Sequence, residues 1–211
     1  MQRLAAFLFI GGATILMSFA NPVTEPTSKV VVVAPRATVY QVDNAQSSLS
    51  WTAKKVTGSH SGNISVSSGK LEVDKNVLKG GSFELDTRSI TVTDIKDANM
   101  NGKLLGHLKS DDFFSVDKHP SASFVITSAA AKGGGNYDVN GNLTIKGITK
   151  PISFPATVTV AGGKVTAKAT IKVDRTKFDI KYRSNNFFEN LGDKAIYDDF
   201  ELDVTLVANA Q

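Results

Sequence analysis

The run from Ile152 to Val173 reads ISFPATVTVAGGKVTAKATIKV, and it folds on itself in one way. If Gly162-Gly163 is a two-residue turn, Val160 faces Val165, Val158 faces Ala167 and Ala156 faces Ala169. Phe154 then faces Ile171, and Ile152 faces Val173. On the other face Thr159 meets Thr166 and Ser153 meets Lys172. A slip of one residue would turn every apolar side chain to water, so the register is strongly specified. This stretch therefore demands an antiparallel hairpin with one apolar and one polar face, with strands near 151–161 and 164–174.

The same period of two runs through most of the chain. It predicts strands near 47–57, 61–74, 77–87, from Ala122 onward, 137–146 and 197–208. Gly69 reads as the mark of a bulge. Asn140-Gly141 is the usual hairpin pair, yet Tyr137, Val139, Leu143 and Ile145 keep one phase straight through it. The expectation is one continuous strand, with Gly141 inward where something approaches closely. The period changes over Asp97–Lys109, which predicts a short helix despite Gly102 and Gly106. Residues 174–195 have no clear period and read as a long connection before the last strand. The fold class expected is all-β: an eight-stranded antiparallel barrel, with a short helical insertion between strands 3 and 4 and a long loop before the last strand.

Ahead of the barrel, Arg3 followed by the apolar run Leu4–Phe19 and the small-residue cut Ser18-Phe19-Ala20 reads as a secretory signal peptide over residues 1–20. Residues 21–37, with Pro22, Pro26 and Pro35, read as a flexible leader. Val30–Val33 is its one apolar run. The barrel domain is expected over 38–211, in a periplasmic or secreted protein. Removing Arg3 leaves 23 basic and 20 acidic residues, a net charge of about +3 (23 − 20), dispersed along the chain. No basic block interleaved with aromatics points to nucleic acid. With no cysteine, stability rests on the core alone.

Gly106–Phe124 holds the densest run of unusual residues: His107, His119, Asp111-Asp112 and Phe113-Phe114. Their spacing matches no metal pattern. Adjacent aspartates diverge and suit a helix end and turn. Phe113-Phe114 reads as a plug of core under the helix. His107 is either a half-buried packing residue or a contact to a ligand head group at the barrel mouth. Arg175 is either part of a structural ion pair or an anion clamp at the rim. No nucleophile elbow, phosphate loop or Cys/His arrangement is present, so the reading is a binding protein and not an enzyme.

Four segments carry a family resemblance. They are Tyr40–Asp43 with Ser47–Trp51; His107–Ser110 with Asp112–Phe114 and Pro120…Phe124; Gly141–Pro151; and Asp174–Phe178. In this order and spacing the chain, over roughly 38–208, resembles the YceI-like family of small exported lipocalin-like barrels. Where the family closes the last motif with Gly, Asp179 stands here. The resemblance implies a barrel with a helical lid region and a long apolar pocket for polyisoprenoid or similar chains. It implies no enzymatic activity and no cofactor beyond a bound isoprenoid or quinone-like lipid as ligand.

Candidate ligand contacts are the inward-phase Trp51, Phe83, Phe124, Gly141, Phe154, Ala156 and Ala169. His107, Phe113 and Phe114 join them from the crossing segment, and Arg175 and Phe178 from the strand-end motif. Alternation alone leaves the interior hollow or filled. Small inward residues at 156, 167 and 169 leave room, and the aromatics are large enough to take it up. A hollow barrel would carry an isoprenoid or other long apolar chain for transport, storage or sequestration. A filled one would be a structural or stress-related envelope protein. A lipid-modifying enzyme using His107 is the third reading. A homodimer is compatible with the sequence, and no stable membrane insertion is expected after signal cleavage.

Overall fold

The structure, a computed structural model, describes residues 37–211. The expected signal peptide, the Val30–Val33 run and all of the leader but Ala37 lie outside the described residues. Ten strand segments occupy eight positions of a closed antiparallel barrel. They are β1 (Thr38–Val42), β2 (Ser48–Lys55), β3 (Gly58–Asn63), β4 (Ser65–Asp74), β5 (Val77–Asp86), β6 (Ser121–Gly133), β7 (Asn136–Ile145), β8 (Ile148–Ala161), β9 (Lys164–Asp174) and β10 (Ile196–Ala210). The ring runs β1–β4–β5–β6–β7–β8–β9–β10 and closes where β10 pairs back on β1.

Two of the eight positions are broken in tandem. The long β10 pairs with β2 over Ile196–Thr205 and with β1 over Ala208–Ala210. On the next position β3 pairs with β2 and β4 pairs with β1. The period-two reading began at Ser47 and missed β1. That segment is five residues long and follows a proline-rich leader, so its alternation (Tyr40 and Val42 buried) is too short to stand out.

The turns follow from backbone sign. Gly162 and Gly163 both have positive φ, as do Lys75-Asn76 between β4 and β5 and Lys146-Gly147 between β7 and β8. Two consecutive positive-φ residues are the hairpin geometry that matches strand twist. Asn140-Gly141 makes no turn, and β7 runs through it as one strand. A Cβ on Gly141 would lie 2.3 Å from the Phe124 ring and 2.5 Å from the Val125 carbonyl. The bulge expected at Gly69 falls instead between Val66 and Ser68. Gly69 is small because a Cβ there would meet Phe83 at 2.7 Å.

The helix α1 (Ala98–Lys109) joins β5 to β6. Asp97 caps it by accepting from the Met100 N–H, and Asn101 donates from Nδ2 to the Val92 and Ile95 carbonyls. Leu108 is buried beneath it, with Leu104 and Leu105 packed alongside. Tertiary packing thus offsets the weak propensity of its two glycines. Among the described residues no helix is long and apolar enough to cross a membrane.

The hairpin that specifies the fold holds its register but not its length. β8 and β9 pair from Ala161↔Lys164 to Thr157↔Lys168, and there the ladder ends. Ala156 and Ala169, Phe154 and Ile171, and Ile152 and Val173 are not paired, contrary to the expectation. The cause lies in two residues of the sequence. The Val158 N–H bonds the Gly135 carbonyl on the β7 side, so residues 157, 155, 153 and 151 face β9. Pro155 and Pro151 have no N–H to give. Beyond Thr157 the strand meets β7 on one side and is an edge on the other, the position to which proline is confined in sheets.

Candidate functional site

The barrel interior contains two apolar cavities. The upper one, of about 100 Å³, lies among β2 and β4 to β10. Phe83, Phe124, Phe154, Ala156 and Ala169 line it, and Lys168 is the one charged residue at its edge. Phe124 and Phe154 pack with ring centroids 5.5 Å apart. The lower cavity, of about 90 Å³, lies toward α1. Trp51, Phe113, Phe114 and Arg175 line it, together with Leu108 and Ile180. Leu85, Leu143 and Leu202 line both cavities and form a waist between them. Side chains therefore occupy much of the barrel without filling it. Each space is somewhat smaller than the engineered cavity of roughly 150 Å³ that admits benzene.

Three candidates stand outside the cavity walls. Gly141 is not in contact with the void but makes room for the Phe124 ring. Phe178 is 1% exposed and belongs to the packed core beneath the 3-10 turn Arg175–Phe178. His107 lies on the outer side of the crossing. Its Nε2 is 2.9 Å from Asp112 Oδ2, and its ring makes edge contacts with Phe113 and Tyr182 at 4.9 and 4.6 Å.

Arg175 lines the lower cavity through its stem, and its head is engaged elsewhere. Nε donates to the Tyr197 carbonyl, Nη1 to Ile180, and Nη2 to Ile196 and to Asp198 Oδ1. Burial pulls its pKa below the ordinary guanidinium value, while the charges of Asp198 and Asp174 oppose that shift. The guanidinium thus ties both ends of the long connection 179–195 to the end of β9. Asp179 closes the 3-10 turn in the left-handed conformation, at φ 60°, where the family pattern has Gly. Aspartate tolerates that region better than most residues.

The two aspartates of the crossing diverge. Asp111 pairs with Lys118 and Ser115, and Asp112 with His107. Among the described residues no group of three His, Asp or Glu is placed to hold a metal ion.

The sequence reading missed the leucine waist, because Leu85, Leu143 and Leu202 look like any other inward residues of their strands. It also missed the open stretch between β8 and β9, although Pro155 stands where that stretch begins. Inward residues beside it are only partly covered: Ile152, Phe154, Ala156, Ala169 and Ile171 are half-buried. So are Val160 and Ala167 on the paired stretch, whereas Val139 and Val165 are 2% and 0% exposed.

The barrel is shared with solved structures at low identity. BcnA of Burkholderia cenocepacia superposes with a TM-score of 0.64 at 24% identity, over 80% of this chain and 99% of that one. A polyisoprenoid binding domain from Saccharophagus degradans gives 0.60 at 14%, over 84% and 100%. These likenesses show the fold. In sequence, a UPF0312 protein of Shewanella denitrificans is 36% identical over 88 residues, 42% of this chain and 44% of that protein. One from Vibrio vulnificus is 34% identical over 103 residues, 48% of this chain and 51% of that protein. The matched part is thus about half the length of these relatives or less. A sequence model of the YceI-like domain matches residues 40–208, from the ring-closing β1 to the end of β10. With the barrel and the four ordered motifs inside that span, the chain belongs to the YceI-like family.

Proposed function

We propose that this protein binds a long apolar chain, an isoprenoid or similar lipid, inside its barrel for transport, storage or sequestration outside the cytoplasm. The observation that carries this reading is the pair of apolar cavities that share Leu85, Leu143 and Leu202 in their walls. Leucines are flexible enough to part, and joining the two spaces would make one elongated slot. The resemblance to a polyisoprenoid binding domain supports the same reading. So does the export signal expected in residues 1–20.

The energetics suffice. Burial stabilises by about 0.8 kcal/mol per CH₂. Ten buried carbons supply roughly 8 kcal/mol before costs, near micromolar affinity. Such a site needs no polar motif, which agrees with the near absence of polar side chains in the walls.

The test is chemical. Protein purified from a bacterial host without detergent is extracted with organic solvent, and the extract is analysed by mass spectrometry. A stoichiometric long-chain apolar compound is the expected result. An empty extract, together with a melting temperature that no prenyl alcohol or quinone shifts, would leave a structural envelope protein as the better account.

A further inference from the structure

The stretch where β8 and β9 part is more than a frayed hairpin. Its position, its lining and its two ends are those of an opening into the upper cavity. On the outer surface a groove of about 690 Å³ runs over it. Ala156 on the β8 lip, Lys168 and Ala169 on the β9 lip, and Val204 behind them line both this groove and the upper cavity. The slot is bounded above by the paired turn end of the hairpin. Below, the 3-10 turn packs on β8, and Lys146 in the β7–β8 turn donates to the Asp179 carbonyl.

A second gap in the wall shows the contrast. β5 and β6 pair only over Ser82–Asp86 and Ser121–Val125. There the Tyr137 hydroxyl accepts from the Leu78 N–H and Ile126 covers Gly81, so that gap is sealed and buried. Among the described residues no side-chain hydrogen bond crosses the open stretch between β8 and β9.

We propose that the β8–β9 seam is a lateral portal through which an apolar chain passes into the upper cavity, leaving an anionic head group at Lys168. This rests on the binding function proposed above. The charges around the groove single out Lys168. Lys132 is paired with Asp138 at 2.7 Å, and Thr170 donates to Asp203 at 2.8 Å. Lys168 has no carboxylate partner among the described residues. Lys168 is exposed and alternates with the inward Ala167 and Ala169, so its ammonium stands on the outer face beside the groove, where it can meet a carboxylate or phosphate.

Because the chain has no cysteine, the seam can be bridged specifically. In the full-length expressed protein, Ser153→Cys is combined with Lys172→Cys, outward-facing positions in the register of Thr157↔Lys168 that leave Pro151 and Pro155 in place. The pair is joined by a short bismaleimide, and the unjoined double variant serves as its own folding control. Ser153→Cys with Thr170→Cys, a diagonal pair across the same seam, is the second, used if the first folds poorly. The probe is cis-parinaric acid, a fluorescent polyene with a carboxylate head, followed by stopped flow.

Bridging is expected to slow association and release together, at least tenfold, with the dissociation constant changed less than threefold. Lys168→Met is expected to weaken the acid about fivefold and to leave its methyl ester unaffected. Binding with unchanged rates after bridging would overturn the portal while leaving the binding function intact. Equal effects of Lys168→Met on acid and ester would overturn the head-group assignment. Failure of the unmodified protein to bind either probe would overturn the binding function, and the portal with it.

Discussion

The Tyr137 hydroxyl on β7 accepts a hydrogen bond from the Leu78 backbone N–H on β5, two positions away around the ring, at 3.2 Å. Both residues are buried. The bond satisfies a donor that the shortened β5–β6 ladder leaves without a strand partner. Tyr137→Phe keeps the ring and removes the acceptor. The cost expected is about 1–3 kcal/mol, that of an unsatisfied buried amide. Urea denaturation checks it, as a lower midpoint with an unchanged slope.

Glycines in this barrel divide by what surrounds them. A Cβ on Gly62 would sit 1.7 Å from the Thr91 carbonyl oxygen and 2.8 Å from the Trp51 indole, whose Nε1 donates to that same carbonyl. Gly141 is crowded against Phe124. Gly62→Ala and Gly141→Ala are each expected to cost about 2 kcal/mol or more, as overpacking does where backbone must yield. A melting temperature within a degree of the parent for either variant would contradict this.

Gly102 and Gly106 are the opposite case. Nothing lies within 4 Å of a Cβ on either, and both sit inside α1. Gly102→Ala and Gly106→Ala should each stabilise by up to about 1 kcal/mol through helix propensity. The two positions are four residues apart and so neighbours on one helix face, and the double variant measures their coupling. Thermal melts of the single and double variants measure this directly.

Ala156 tests whether the upper cavity is used. It is half-buried and faces open space, so Phe at this position has room for its ring. Ala156→Phe is expected to abolish polyene binding while shifting stability by less than about 1 kcal/mol. A large loss of stability would show that the space is already occupied by packed side chains.

Acid should weaken the fold by a defined route. The Arg88 side chain holds the Asp86 carboxyl below its ordinary value, Lys118 does so for Asp111, and Lys181 for Asp179. A carboxyl whose pKa is lower folded than unfolded stabilises fully above the unfolded value, near 3.8. That contribution disappears as the pH falls through the folded value. The melting temperature should therefore hold steady from neutral pH to about 5 and fall below about 4. Salt should blunt the effect, because these pairs are exposed. A melting temperature that rose on acidification below pH 4 would reverse the sign.

The barrel was largely legible because alternation, turn glycines and hairpin register all agree over β4 to β10. Continuity of β7 through Asn140-Gly141 could be read from phase alone. β1 could not, since five residues after a proline-rich stretch carry too little pattern. The site was legible as a set of inward aromatics and alanines, and Phe83, Phe124, Phe154, Ala156 and Ala169 do converge on one cavity. From sequence, His107 reads as the one residue of the crossing that could meet a ligand head group. Only tertiary structure shows that Asp112, Phe113 and Tyr182 surround it. The end of the β8–β9 ladder was in principle readable. Side-chain faces carry no sign of it, whereas Pro155 acts through the backbone donor it lacks.

A closed barrel has no free strand edge, and this one has a short pair of them. An exposed edge is where a second chain adds and from which fibres grow. At positions 151 and 155 β8 offers an incoming strand no donor, and Lys168 and Lys172 stand as charges on the β9 side. The two prolines that keep the wall from zipping shut also keep a neighbouring molecule from completing it. Replacing both with valine would be expected to trade a solitary barrel for one that joins others edge to edge.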